Sequence, residues 1–172
     1  MPPPLHAAAP FGIAFRPMVD ADLPFIEALF ASTRAEEVAL TGWPEEQQRA
    51  FLAQQHGAQH YHYRNHYPDA EWLVVERGRE PIGRLYLDRS ERLLHIIDLS
   101  LVPASRGQGL GGAILADVIG AAQFEGLDVS LHVERHNPAI RLYQRLGFDC
   151  VGEDGLYLEM LLRTEKAPLG SS

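Results

Sequence analysis

The sequence predicts one α/β domain with a mixed sheet that is mostly antiparallel, one parallel strand pair and about four helices. Its 172 residues, 46% of them hydrophobic, are enough for one well-packed domain and too few for two. Three strand-like segments over residues 71–102 follow one another through short turns, which favours antiparallel pairing. Strand, helix and strand then alternate between residues 93 and 133, which indicates a right-handed parallel crossover.

Two tails are expected to flank this domain, which would span residues 11–163. Residues 1–10 are rich in Pro and Ala and lack both a basic region and a long apolar run. They are therefore predicted to be a disordered tail and not a signal peptide. Residues 164–172 are predicted to be a flexible C-terminal tail.

The N-terminal third of the domain is predicted to hold one strand and two helices. The strand is expected at residues 12–17. Asp20 is suited to cap a helix and precedes apolar residues at helical spacing, so the first helix is predicted over about residues 20–34. Pro44, followed by two glutamates, is typical of a helix start, and this second helix is predicted over residues 44–66.

The second half of this helix is unusually rich in His and Tyr. His56 and His60, and again His62 and His66, are four residues apart, a spacing at which two imidazoles on a helix can share a metal. The two pairs lie on different faces and no carboxylate accompanies them, so no metal is predicted. A polar and aromatic wall of a substrate cleft and an ordinary solvated helix face remain as alternatives.

Hydrophobic periodicity and the positions of Gly, Pro and Asp predict the remaining elements. The strands are expected at residues 71–76, 81–87, 93–102, 127–133, 148–151 and 156–162, and the helices at about 113–124 and 137–146.

Composition narrows the class of partner. The chain carries 23 Asp and Glu against 15 Lys and Arg, a formal net charge of −8, and has no run of basic residues, which argues against nucleic acid or an anionic membrane. No apolar stretch approaches the roughly 18 residues of a membrane span. The single cysteine, Cys150, cannot form an internal disulfide, which is typical of a reducing compartment and predicts a cytoplasmic protein. Its apolar neighbours predict that Cys150 fills core space.

Residues 106–112 form a glycine-rich loop between a strand and a helix and are predicted to hold a pyrophosphate. Glycines let the backbone approach a ligand closely, and the free N–H groups of a helix start attract anions. Gly107, Gly109 and Gly112 also match the dinucleotide fingerprint, with Glu134 as the acidic residue. A dinucleotide-binding fold needs two βαβ halves on a parallel sheet. Here antiparallel strands precede the loop and only about 60 residues follow it, so there is no room for the second half.

A second pattern begins at Arg106. The string from Arg106 to Gly111 fits (Q/R)-x-x-G-x-(G/A), and Val133 to Asn137 followed by Leu142-Tyr-Gln-Arg-Leu-Gly-Phe148 fits two further signatures. With these motifs the chain resembles the GNAT superfamily of N-acetyltransferases over about residues 13–163. The Asn-to-Ala spacing is one residue shorter than the family pattern. Counting back from Tyr143 therefore puts His136 in the asparagine slot, and counting on from Val133 puts Asn137 there.

The resemblance implies a GNAT-like fold in which the parallel strand pair splays into a V-shaped slot for acetyl-CoA. The strand before the loop would bind the pantetheine arm through its backbone, and the loop N–H groups would bind the pyrophosphate. The implied coenzyme-binding residues are Leu99, Ser100, Leu101, Arg106, Gly107, Gln108, Gly109, Leu110, Gly111, Gly112, Asn137 and Tyr143.

The resemblance also implies the catalytic residues. Tyr143 matches the family tyrosine that protonates the departing thiolate, although it would also suit plain packing on the sheet. Asn137 would bind pantetheine or a loop backbone, or serve only as a helix cap. His132 occupies the position at which some relatives carry a basic glutamate, and histidine suits proton transfer near neutrality. The alternative is that His132 faces out of the sheet without a role. Asp98 and Glu134 are weaker candidates for the base, and members of this superfamily often lack a single essential base.

The expected activity is transfer of acetyl from acetyl-CoA to a primary amine by direct attack, without a metal and without a covalent intermediate on Cys150. A catalytically silent CoA-binding regulatory module on the same fold is the alternative. The sequence does not identify the acceptor, which would bind near residues 30–70 and the closing strands. The acidic chain favours a cationic small molecule, a peptide N-terminus or a lysine, and a homodimer is common in such a family.

Overall fold

The computed structural model describes residues 1–164, so the predicted C-terminal tail lies, except for Thr164, outside the described residues. Three short 3-10 turns accompany the regular elements, at Ala9–Phe11, Asp20–Asp22 and Pro103–Ser105. In chain order the elements are β1 (Ile13–Pro17), α1 (Leu23–Ala39), α2 (Glu45–His66), β2 (Glu71–Arg77), β3 (Glu80–Arg89), β4 (Leu93–Leu101), α3 (Leu110–Glu125), β5 (Asp128–Glu134), α4 (Ile140–Arg145), β6 (Asp149–Asp154) and β7 (Tyr157–Leu162).

The seven strands of the described part form one sheet in the order β1-β2-β3-β4-β5-β7-β6. All neighbouring strands are antiparallel except β4 and β5, which are parallel and joined by the α3 crossover. The predicted fold class, a mostly antiparallel mixed sheet with one parallel pair and four helices, is therefore confirmed.

The parallel pair is incomplete. β4 and β5 pair only over Leu93–Ile96 and Asp128–Leu131. Beyond this point β4 stays paired with β3 and β5 stays paired with β7. A register shift between β3 and β4 leaves Ile97 as an extra residue in β4 where the separation begins. The two central strands therefore diverge into a V-shaped slot, and one edge of β4 has no neighbouring strand along it.

The two faces of the sheet differ in chemistry. The face toward α3 and α4 carries aliphatic side chains that form the main core, among them Leu94, Leu131 and Ile114 of α3. The opposite face is covered by α1 and α2 and carries polar and aromatic side chains. For example, Arg84 of β3 hydrogen-bonds Gln59 of α2. The polar α2 thus lies on a sheet face that is itself polar.

The N-terminal segment differs from the disorder expected of it. The N–H groups of Ala7 and Ala8 donate to the two carboxylate oxygens of Asp117 at 2.7 and 2.9 Å, and Ala8 is fully buried. Asp117 is itself buried in α3. A buried carboxylate needs hydrogen-bond donors, and this segment provides two of them. Asp117 lies more than a hundred residues away from this segment in the chain. The composition of residues 1–10 therefore does not reveal that Asp117 needs their N–H groups.

Two helices depart from their predicted bounds. α1 begins at Leu23 and continues to Ala39, beyond the predicted end at residue 34. Asp20 does not cap it, because a 3-10 turn precedes the helix. α4 is limited to Ile140–Arg145, since Asn137 and Pro138 form a turn ahead of it. The remaining elements agree with prediction to within a few residues, and no helix of the described part is long and apolar enough to cross a bilayer.

The prediction that Cys150 fills core space is wrong. Cys150 is exposed on β6, an edge strand that pairs only with β7. The register shift between Cys150 and Gly152 disturbs the alternation of faces that the apolar pattern assumed. On the sheet, β6 is separated by β7 from β5, so the thiol lies away from the slot.

Replacing Gly83 with Ala should separate β3 from β4 beside the slot. A Cβ at Gly83 would overlap the Ser100 carbonyl oxygen and lie 2.8 Å from Leu101 Cδ2. We expect Gly83→Ala to lower the free energy of unfolding by about 1–3 kcal/mol, measured by urea denaturation. Gly120→Ala in α3 is the control, because a Cβ there meets no atom within 4 Å. It should stabilise the protein by about 0.5–1 kcal/mol, and equal effects of the two substitutions would contradict the prediction.

Candidate active site

The open edge of β4 forms one side of the slot. On one edge β4 pairs with β3, where Leu99, Ser100 and Leu101 lie opposite Leu85, Arg84 and Gly83. The other edge of this part of β4 faces the slot. These three β4 residues are those that the resemblance assigned to pantetheine. An extended chain with amide groups could hydrogen-bond this edge as an added strand would.

The glycine-rich loop lies at the end of this edge. Gly107 and Gly109 have φ values of 72° and 81°, which favour glycine, and α3 begins directly after Gly109. Ala113 is the first residue of α3 whose N–H has a backbone partner, the Gly109 carbonyl oxygen at 3.1 Å. Within the described residues, the N–H groups of residues 107–112 donate to no backbone carbonyl. An anion can therefore meet free N–H groups at the positive end of the α3 dipole.

The other members of the loop motif support its shape. Arg106 donates from Nε to the Leu101 carbonyl at 2.9 Å and from Nη2 to Ser32 Oγ at 3.1 Å, so it ties the end of β4 to α1. Gln108 donates to the Ala104 carbonyl at 2.8 Å. Leu110 is buried and anchors the first turn of α3 in the core. A Cβ at Gly111 would meet open space, and one at Gly112 would approach Leu142 of α4 at 3.8 Å.

Tyr143 lies in α4, partly buried, with its ring 5.8 Å from that of Phe148 in an edge-on contact. Burial raises the pKa of Tyr143 above its ordinary value, and the negative charge of Asp98 raises it further. Tyr143 is thus kept in its protonated form, in which it can donate a proton.

His132 is exposed on β5 and is the first residue after the parallel pairing ends. Its ring lies 5.1 Å from that of His95 on β4 in an edge-on arrangement. His95 is largely buried, and its Nδ1 lies 2.8 Å from Ser130 Oγ. Burial, followed by the proximity of His132 and His66, lowers the pKa of His95 to about 4. The structure therefore brings His132 to the point where the slot narrows.

A charged network that sequence reasoning missed lies beneath the slot. Arg84 is 2% exposed, and its Nη2 donates to Asp98 Oδ2 at 2.7 Å and to Gln59 Oε1 at 2.9 Å. Ser100 Oγ donates to the other Asp98 oxygen at 2.6 Å. Because both carboxylate oxygens of Asp98 are engaged, Asp98 is less suited than His132 to accept a proton. The signal in the sequence that could have revealed this network was Arg84, a charged residue at an inward-facing position of a strand.

Asn137 and Glu134 are engaged in local contacts. Asn137 is exposed, and its Oδ1 accepts a hydrogen bond from the Ala139 N–H at 2.9 Å within the turn before α4. It is not the helix cap foreseen as an alternative, because the N-cap of α4 is Ala139. Glu134 Oε1 accepts from Arg34 of α1 at 2.9 Å. His136, the other candidate for the asparagine slot, is exposed in the same turn. The Asn137 Oδ1 and the Glu134 Oε1 atoms are thus both engaged in contacts within the protein.

The His- and Tyr-rich half of α2 partly faces the sheet. The Tyr63 ring lies 6.3 Å from that of Tyr86, and the Tyr67 ring stacks on His95 at 5.7 Å. His56 is buried against Phe30. Among residues 1–164, no group of three or more His, Cys, Asp or Glu side chains is arranged to hold a metal ion. One side of this segment therefore forms a polar and aromatic wall against the sheet.

Comparisons with known proteins agree with this geometry. The sequence matches the model of the acetyltransferase (GNAT) family over residues 33–148. No curated protein sequence matched this chain significantly. Many solved structures share the fold.

Three of these solved structures illustrate the likeness. The PaiA N-acetyltransferase from Thermoplasma acidophilum in complex with coenzyme A has a TM-score of 0.65 and 17% identity, over 88% of this chain and 98% of that chain. An acetyltransferase from Thermus thermophilus has a TM-score of 0.59 and 23% identity, over 87% and 95%. A spermidine N-acetyltransferase SpeG chimera from Vibrio cholerae and hSSAT has a TM-score of 0.60 and 20% identity, over 88% and 95%.

At these identities the structural likeness establishes the fold alone. The family model, however, covers more than half of the chain, including the glycine-rich loop and Tyr143. The resemblance predicted from the motifs is thereby confirmed. The chain belongs to the GNAT family of acetyltransferases.

Proposed function

We propose that this protein transfers the acetyl group of acetyl-CoA to a primary amine by direct attack. The observation that carries the proposal is the open edge of β4 leading into a loop of free N–H groups at the start of α3. An extended amide chain with a pyrophosphate at its end fits both parts. The same fold is found in the PaiA N-acetyltransferase, whose structure contains coenzyme A.

In this proposal the backbone of Leu99–Leu101 hydrogen-bonds the pantetheine amides, and the N–H groups of residues 107–112 bind the pyrophosphate. Arg106 and Gln108 act indirectly, because their side chains hold the loop to β4, α1 and the preceding turn. Leu110 and Gly112 set the position of the first turn of α3. Asn137 acts by fixing the turn before α4 and not by direct contact with pantetheine.

The chemistry requires two proton transfers. The neutral amine attacks the thioester carbonyl carbon, the C–N bond forms and the C–S bond breaks, with the sulfur leaving as thiolate. His132 accepts the proton that the amine loses, and Tyr143 donates its hydroxyl proton to the thiolate. Solvent then removes the proton from exposed His132 and returns one to Tyr143. No cysteine participates in this scheme, consistent with the position of Cys150 on the edge strand.

The acceptor is proposed to be a cationic amine, either a small molecule or a peptide N-terminus or lysine. The formal charge of −8 favours the approach of cations. One protein of the same fold is a spermidine N-acetyltransferase. The test is a panel of amines scored by release of free thiol from acetyl-CoA, together with calorimetric binding of CoA. Binding without thiol release across the panel would instead favour a regulatory CoA-binding module.

Substitution of Gly109 should weaken CoA binding. An L-residue at the Gly109 φ of 81° is strained, so Gly109→Ala should distort the loop N–H groups. We expect the CoA dissociation constant measured by calorimetry to rise roughly tenfold or more. Gly126 has a φ of 72° at the other end of α3, where a Cβ also meets no atom within 4 Å. Gly126→Ala should lower stability similarly and leave CoA affinity unchanged; a comparable loss of affinity there would count against the loop.

Removal of the Tyr143 hydroxyl should slow turnover without weakening CoA binding. Because a thiolate is already a fair leaving group, we expect kcat of Tyr143→Phe to fall by about 10²-fold, the lower end for general acids. Since the Tyr143 pKa is raised above its ordinary value near 10, wild-type turnover should not lose this proton donor below about pH 10. Tyr61, 73% exposed on α2, provides the control Tyr61→Phe. Unchanged kcat in Tyr143→Phe would remove Tyr143 from the mechanism.

A further inference from the structure

His132 needs a fixed orientation to accept a proton, yet its side chain is exposed. Among the described residues, its imidazole nitrogens have no hydrogen-bond partner, and its one ring contact is with His95 at 5.1 Å. An exposed histidine without partners samples several rotamers, and each misplacement costs reaction rate. Among the described residues, the His95 ring is therefore the contact through which the protein can hold the His132 ring.

His95 itself is held from two sides. Its Nδ1 lies 2.8 Å from the Oγ of Ser130, which is 3% exposed on β5. Its ring is stacked on that of Tyr67, the C-cap of α2, with the planes inclined by 24° and the centroids 5.7 Å apart. His95 and Ser130 are also register partners in the parallel pair. The His95 ring is thus fixed at the closed end of the slot.

We propose that His95 is a positioning residue that holds the His132 imidazole at the closed end of the slot, in the orientation that accepts the proton of the acceptor amine. This inference rests on the proposed function of the site. Nothing passes covalently to His95. The amine proton moves to the free ring nitrogen of His132 and then to water, while His95 keeps its own protonation state throughout.

The electrostatics of His95 suit this role. Burial, followed by the positive charges that His132 and His66 carry when protonated, lowers the pKa of His95 to about 4. His95 is therefore neutral near pH 7 and does not repel the imidazolium that forms on His132. Of the titratable groups around it, Asp88 on β3 is its register partner, and His66 lies next to Tyr67 on α2. A neutral His95 ring can hold the His132 ring by contact without placing a second positive charge beside it.

The first test removes the Ser130 hydroxyl that holds His95 and leaves His132 unchanged. Ser130→Ala should lower kcat about tenfold and leave KM for acetyl-CoA unchanged, because the coenzyme edge of β4 is intact. In a His132→Ala background, Ser130→Ala should have no further effect, since there is no base left to orient. The control is His6→Ala, which removes an exposed histidine of the N-terminal segment. It should behave as the wild type.

The second test does not require turnover. In the free protein, NMR of the histidine rings should show the His132 resonances shifted or broadened in Ser130→Ala and unchanged in His6→Ala. The His95 pKa, about 4 in the wild type, should rise in His132→Ala because a neighbouring charge is removed. Unchanged His132 resonances, or equal losses of kcat from Ser130→Ala with and without His132, would overturn the inference. A wild-type protein that releases no thiol with any amine would overturn the proposed function, while the NMR result would still decide the role of His95.

Discussion

The partial pairing between β4 and β5 is the constraint on which the rest of the site depends. β5 is joined to β4 over only four register pairs and then follows β7, while β4 remains on β3. A buried strand edge without partners is costly, because its N–H and C=O groups lose water without gaining hydrogen bonds. The slot avoids this cost by opening to solvent or to a ligand of the same hydrogen-bonding pattern. The glycine-rich loop follows that open edge, since only residues 102–105 separate it from the end of β4.

The polar face beneath the slot follows from the burial of Arg84. A guanidinium that is 2% exposed must be paired, and Asp98 and Gln59 provide the partners. This pairing holds the Asp98 carboxylate close to the open edge, where its charge favours the protonated form of Tyr143. It also explains why α2 can be so polar, because its contacts with the sheet are hydrogen bonds and ring contacts more than aliphatic packing.

The features that were predicted correctly are those that local sequence patterns encode. The strand pattern, the loop from Arg106 to Gly112 and the parallel crossover each depend on neighbouring residues, and each was found where expected. Other features depend on partners distant in the chain. The N-terminal segment is ordered by Asp117, and the His132 ring meets a residue on another strand. No single window of sequence contains both halves of these contacts.

α1 connects the two sides of the slot through one hydrogen bond to each side. Ser32 accepts a hydrogen bond from Arg106 of the glycine-rich loop, and two residues later Arg34 pairs with Glu134 at the end of β5. One helix turn therefore spans the mouth of the V from the β4 side to the β5 side. The same helix also packs on α2, so α1 joins the loop, both sides of the mouth and the wall formed by α2. The two sides of the slot thus share one helix, although they belong to different segments of the chain.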